Sequence, residues 1–252
     1  MRNIKILNLL PVVYTEGLEN ETDDRIKLRE KIFKDTNNLV ILDTVFVEKG
    51  FSSIEGSYDV GMSIPYIVEK ANWGQENGYN AIILDCFMDP GLDECRETLE
   101  IPVFGACQSA CSLAIRMGGE FSVIGILDDM DRCIKQNLSK YGMIDRLRSI
   151  PVISTEVLNI QYNTAGIIKK VVETSKKIVK EDKAKAIVLG CTGLAPLVDT
   201  MQAELKKINI HAPIIEPFRA ALYDAISCVL MGVSHSKEAY RPIRKKFNNF
   251  NY

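Results

Sequence analysis

The sequence predicts an α/β protein of two similar lobes, each a mainly parallel sheet flanked by helices, with the active site in the cleft between them. Three observations carry this reading. Short apolar, β-branched runs alternate with longer segments of helical period, and strands that alternate with helices build parallel sheets covered on both faces. The chain also repeats itself: residues 81–86 read AIILDC and residues 186–191 read AIVLGC, while PVFGACQSACSLAI from Pro102 looks like PIIEPFRAALYDAI from Pro213. Finally, 252 residues at 46% hydrophobic suffice for one large domain or two half-sized lobes, and the repeat favours two.

The elements follow in order. IKILNLL is a first buried strand rather than a signal peptide, because Lys5 and Asn8 interrupt it and no small-residue cleavage site follows. A charged helix near residues 20 to 35, the strand LVILDTVFV, a helix ending near Gly78 and the strand AIILD come next. Pro65 is expected to open a second helix after a short one, since its missing N–H is tolerated in a first turn. A helix is expected from Pro90, with Asp89 and Pro90 as N-cap and first residue.

The second half continues with PVFG, a helix from about Gln108 to Met117, FSVIGIL, a helix near 129 to 140, and the strand PVIST. In the helix near 163 to 181, Ile167, Ile168, Val171, Val172, Ile178 and Val179 form one stripe, and the lysines opposite them read as a solvated face. AIVLG, a helix from about Leu194, PIIE and a last helix to about Met231 complete the pattern. The first lobe is expected over residues 1–105, joined by the C-terminal helix segment 218–252, and the second over 106–217.

Composition removes several function classes. A net charge of -2, with one short basic run at 241–246, lacks the footprint of a nucleic-acid binder. No run approaches the roughly 18 apolar residues of a membrane span, so a soluble protein with no membrane partner is expected. Seven cysteines without paired short spacings do not make a disulfide framework, which points to a reducing compartment, the cytoplasm by default. His211 and His235 are the only histidines and no CxxC occurs, so no metal site is expected; Cys107 and Cys111 read as buried small side chains.

The repeat also marks the candidate site. In an open α/β sheet the ligand crevice lies at the carboxyl ends of the strands. Two facing lobes therefore bring one strand-end cysteine each, Cys86 and Cys191, to a single cleft. Each alone reads as a small buried hydrophobe; their matched positions make them a functional pair. A helix start after each thiol would favour the thiolate, and the N–H groups of Phe87, Met88, Thr192 and Gly193 are placed to bind a carboxylate or enolate oxygen.

The segments SSIEGSYDV, NAIILDCFMDPGLDECRETLEIPVFG and AIVLGCTGL followed by PIIEP resemble the hydantoin and allantoin racemase branch of the aspartate/glutamate racemase superfamily, over nearly the whole chain. The resemblance implies a cofactor-independent isomerase, with no pyridoxal phosphate, metal or nucleotide, and a homo-oligomer. One cysteine thiolate would remove a proton from the stereogenic carbon while the other, protonated, delivers one to the opposite face. Its substrate would be a small molecule with an acidic C–H beside a carbonyl: a 5-substituted hydantoin, allantoin or an amino-acid derivative.

Four departures and carry-overs concern substrate binding. Asn8 is what remains of an Asn-Pro-Asn run at the end of the first strand, and Gln108 stands where the family commonly has Glu. Asp85 replaces a small residue before the first cysteine. Either alternation along the strand turns Asp85 away from Cys86, or it faces the cleft and meets a cationic or N–H-rich group of the substrate. Glu55, in the SIE element, reads as structural. Two other function classes stay open: a maleate-type cis-trans isomerase of the same superfamily, and a non-catalytic small-molecule-binding or thiol redox protein.

Overall fold

The structure, a computed structural model, describes residues 3–15, 27, 30–31 and 33–242. Most of the charged segment expected near 20 to 35, the basic run beyond residue 242 and the end of the 218–252 segment lie outside the described residues.

Two parallel sheets form the frame. In the first, β1 (Ile4–Leu10), β2 (Val40–Phe46), β3 (Ala81–Leu84) and β4 (Val103–Gly105) lie in the order β2-β1-β3-β4. In the second, β5 (Phe121–Ile124), β6 (Ala186–Leu189) and β7 (Ile214–Ile215) lie in the order β5-β6-β7. The expected strand PVIST does not form as a regular element; residues 147–153 run beside β5 through the isolated bridges Phe121↔Leu147 and Gly125↔Val152. Pro151 has no N–H to donate, which breaks the ladder there, although its carbonyl accepts from Gly125 N at 2.9 Å. With that ragged edge counted, the two sheets share one plan, and β3 and β6 occupy matching central positions.

The helices are α1 (Ser57–Glu76), α2 (Leu92–Thr98), α3 (Ala106–Gly118), α4 (Met130–Lys140), α5 (Thr164–Lys177), α6 (Val198–Lys207) and α7 (Pro217–Met231). Alternation along the first sheet is hidden by burial on both faces. Ile4, Ile6, Val40, Leu42, Ala81 and Ile83 pack on Phe218, Ala221, Leu222 and Ala225 of α7. Leu7, Leu9, Ile82 and Leu84 face the opposite way, onto Ile67 and Ala71 of α1 and Leu92 and Cys95 of α2.

Two helix expectations are corrected. Pro65 does not open a second helix but lies inside one continuous α1, because Ser63, Ile67, Ala71 and Gly74 on either side are buried and packing carries the helix past the missing N–H. The helix expected from Pro90 begins at Leu92, after a left-handed Asp89 (φ 47°) and Gly91 (φ 74°). In α5, Ile167 and Val171 are buried as the stripe predicts, and Lys170 from the lysine face donates to the Ile153 carbonyl at 2.9 Å. No helix among the described residues is long and apolar enough to cross a membrane.

Candidate active site

The carboxyl ends of β3 and β6 open into one cleft, and Cys86 and Cys191 both line it. Asp85, Phe87, Met88, Thr192 and Gly193 line it beside them, as the strand-end argument expects. Leu10, Val12 and Ile54 from the first lobe and Ile126, Leu127, Met130 and Val157 from the second make the remaining walls predominantly apolar. The cleft encloses about 630 Å³ including its open mouth. Among the described residues no Lys, Arg or His lines it.

Cys86 is half-buried and Cys191 is buried, at 9% exposure. Burial pushes the Cys86 thiol well above its ordinary range; the charges of Cys191, Asp89 and Asp85 add to the rise, while a hydrogen bond from the Met88 N–H opposes it. For Cys86 this corrects the expectation that a helix start after the thiol favours the thiolate. The helix after Cys86 begins only at Leu92, and Cys191 (φ -153°, ψ 132°) leads into a 3-10 turn, Thr192–Leu197, with α6 starting at Val198. The favourable dipole of a following helix falls off within a turn, so at Cys86 desolvation prevails.

Asp89 has a role that its sequence neighbours conceal. Instead of capping a helix at Pro90, its carboxylate reaches the N-terminus of α3, accepting from Cys107 N at 2.8 Å and Gln108 N at 2.9 Å. Tyr141 donates its hydroxyl to the same carboxylate at 2.8 Å. The Asp89 N–H in turn bonds the Cys86 carbonyl at 3.1 Å, so the cap fixes the loop that carries the thiol. A Cβ at Gly105 would come within 2.4 Å of the Asp89 side chain, which is why the residue before α3 has none.

The other expected binding residues divide into those on the cleft and those behind it. Asp85 is on the cleft wall and 4% exposed, and its Oδ2 accepts from Asn8 Nδ2 at 2.8 Å. Asn8 itself is fully buried between β2 and β3, with Thr44 Oγ1 3.4 Å from the same nitrogen. It thus supports Asp85 rather than lining the cleft. Gln108 is also not among the lining residues; Arg96 donates to its Oε1 at 2.7 Å. Thr192 spans the lobes, its hydroxyl 3.4 Å from the Asp85 carbonyl. Glu55 accepts from Ser53 Oγ at 2.9 Å, the structural role read from the sequence.

Gly190, beside Cys191, was not singled out by sequence. A Cβ there would lie 2.7 Å from the Ile124 carbonyl oxygen, so its absence lets β6 end against β5 and sets the height of the second thiol. Cys107 and Cys111 are fully buried in α3 and contact each other, as small core side chains. Among the described residues no group of three or more His, Cys, Asp or Glu is placed to hold a metal ion.

Comparison with known proteins agrees with this architecture. The model of the family described as Asp/Glu/Hydantoin racemase matches residues 14–225. The chain is 33% identical over 198 residues to the hydantoin racemase of Pseudomonas sp. (strain NS671), covering 78% of each chain. It is 34% identical over 189 residues to the hydantoin racemase of Rhizobium meliloti, covering 74% of this chain and 75% of that one. Among solved structures, the allantoin racemase from Klebsiella pneumoniae superposes with a TM-score of 0.82 at 26% identity, over 98% of this chain and 97% of its own. The matched span runs through both lobes and both strand-end cysteines, and it places the chain in the Asp/Glu/hydantoin racemase family, as an isomerase.

Proposed function

We propose that the protein racemises a 5-substituted hydantoin, using Cys86 and Cys191 as a pair of acid/base groups and no cofactor. The observation that carries this reading is the placement of both strand-end cysteines on one cleft. One thiolate takes the proton from the stereogenic carbon, leaving an enolate whose charge spreads into the neighbouring carbonyl. The opposite thiol delivers its proton to the other face, and the pair ends with thiol and thiolate exchanged, ready for the other enantiomer. The N–H groups of Phe87, Thr192 and Gly193 are the proposed donors to the enolate oxygen, that of Met88 being taken by the Cys86 sulfur.

The hydantoin reading is supported by the walls of the cleft as well as by the named relatives. Leu10, Val12, Ile54, Ile126, Leu127 and Met130 suit a neutral ring with an apolar substituent. A maleate-like diacid or a free dicarboxylic amino acid brings carboxylates that call for Lys or Arg, and among the described residues neither lines the cleft. The test is incubation of single enantiomers of alkyl hydantoins, allantoin and N-carbamoyl amino acids in deuterium oxide. Loss of optical rotation with deuterium entering the stereocentre is expected for the hydantoins; a binding protein incorporates none, and that result ends the proposal.

Asp85 is the proposed selector within that class. Its carboxylate adds to the rise of the Cys86 thiol, an effect that a substrate cation or N–H beside Asp85 would offset. Asp85→Ala is therefore expected to lower kcat/KM about tenfold for hydantoins with a cationic substituent, with much smaller change for an alkyl hydantoin. An unaltered preference between the two, measured by competition, removes Asp85 from substrate selection.

A further inference from the structure

The thiol loop of the first lobe is gripped by one helix of the second. α4 belongs to the second lobe, where Ile134 and Leu138 are buried in its core with Phe121 and Val123 of β5. Its neighbouring face carries Cys133, Asn137, Lys140 and, just past its end, Tyr141, a spacing that aligns side chains along one stripe. Every one of these meets the first lobe. Cys133 Sγ lies 3.2 Å from Ser57 Oγ, Asn137 Nδ2 donates to the Met88 carbonyl at 2.8 Å, Lys140 pairs with Asp93 at 2.7 Å, and Tyr141 donates to Asp89 at 2.8 Å.

Two of these contacts act on the segment directly after Cys86. Met88 is held on both sides, its N–H by the Cys86 sulfur and its carbonyl by Asn137. Asp89 adopts a left-handed backbone, φ 47°, that a residue with a Cβ rarely visits, and its carboxylate is tied to α3 and to Tyr141. The thiol loop has no regular secondary structure of its own between Leu84 and Leu92, so these partners determine its course.

We propose that Asn137 and Tyr141 are positioning residues, which hold the Cys86 loop in its working geometry across the lobe boundary by gripping the Met88 carbonyl and the Asp89 carboxylate. Separation of the lobes breaks both contacts, so the reach of Cys86 into the cleft depends on closure, whereas Cys191, on the same lobe as α4, keeps its place. The catalytic side of this proposal rests on the two-cysteine reading above; its structural side does not.

The experiment compares the full-length protein with Tyr141→Phe and Asn137→Ala. Tyr141→Phe removes a single hydroxyl and keeps the ring, so it serves where Asn137→Ala fails to fold. The pH midpoint of iodoacetamide alkylation is followed for Cys86 and Cys191 separately by peptide mass analysis, alongside kcat and KM for an alkyl hydantoin. The Cys86 midpoint is expected to move by half a pH unit or more with that of Cys191 fixed, and kcat to fall about tenfold with KM within threefold. The proposal is overturned if both midpoints move together, if neither moves, or if kcat stays within twofold in a protein that racemises. A wild-type protein that racemises nothing sinks the catalytic reading alone, because alkylation still reports whether the grip governs Cys86.

Discussion

Serine in place of Cys86, and separately in place of Cys191, is expected to lower racemisation of a 5-alkyl hydantoin by about a thousandfold, within the range of a lost general acid or base. Both residues line one cleft at the ends of matching strands, so neither can stand in for the other on its own face of the substrate. A serine hydroxyl is far less acidic than a thiol and does not supply the anion that starts the reaction. Removal of one partner still leaves a thiol on the opposite face. Each single variant should therefore exchange the stereocentre proton of one enantiomer with solvent deuterium, and the two variants should act on opposite enantiomers. Polarimetry reads the first effect and proton NMR in deuterium oxide the second. Full racemisation by both single variants would refute the two-cysteine mechanism; exchange of the same enantiomer by both would refute its facial assignment.

What made the site legible was burial. β3 and β6 are covered on both faces, so they read as the uninterrupted runs AIIL and AIVL, and a cysteine after each stood out as the end of a repeated unit. Asp85 next to the first thiol was visible for the same reason, as a charge at the end of an apolar run. The features that sequence reasoning missed all depend on partners far along the chain. Asp-Pro is a local helix-start signal, but the Asp89 carboxylate serves α3, whose Cys107 and Gln108 amides lie eighteen and nineteen positions away. Gln108 looked like a binding residue until Arg96 claimed it. The Cys86 thiol follows desolvation, a property of the assembled lobes, rather than the helix dipole that a local reading supplies. Asn137 sits on an ordinary amphipathic helix and Tyr141 just past its end, and nothing in the period marks the face that meets the other lobe.

Alanine at position 89 should have the largest effect on stability at the site. It strips the partner from three donors at once, the amides of Cys107 and Gln108 and the hydroxyl of Tyr141. Orphaned buried donors cost roughly 1–3 kcal/mol each before relaxation, so a net loss of about 3–5 kcal/mol in urea unfolding is expected, with activity falling in parallel as the Cys86 loop loses its anchor. Asparagine separates charge from shape. Burial raises the Asp89 carboxyl from 3.8 to about 6 in the folded protein, so the folded state holds the proton more tightly than the unfolded chain. The stabilisation from that proton is fully present below pH 3.8 and is lost as pH rises through about 6, a change worth about 3 kcal/mol. Asp89→Asn does not ionise. Its deficit against the wild type should thus be greatest near pH 4 and narrow by pH 7, whereas a deficit constant across that interval would mean that the carboxyl titrates alike in both states and that burial does not govern it.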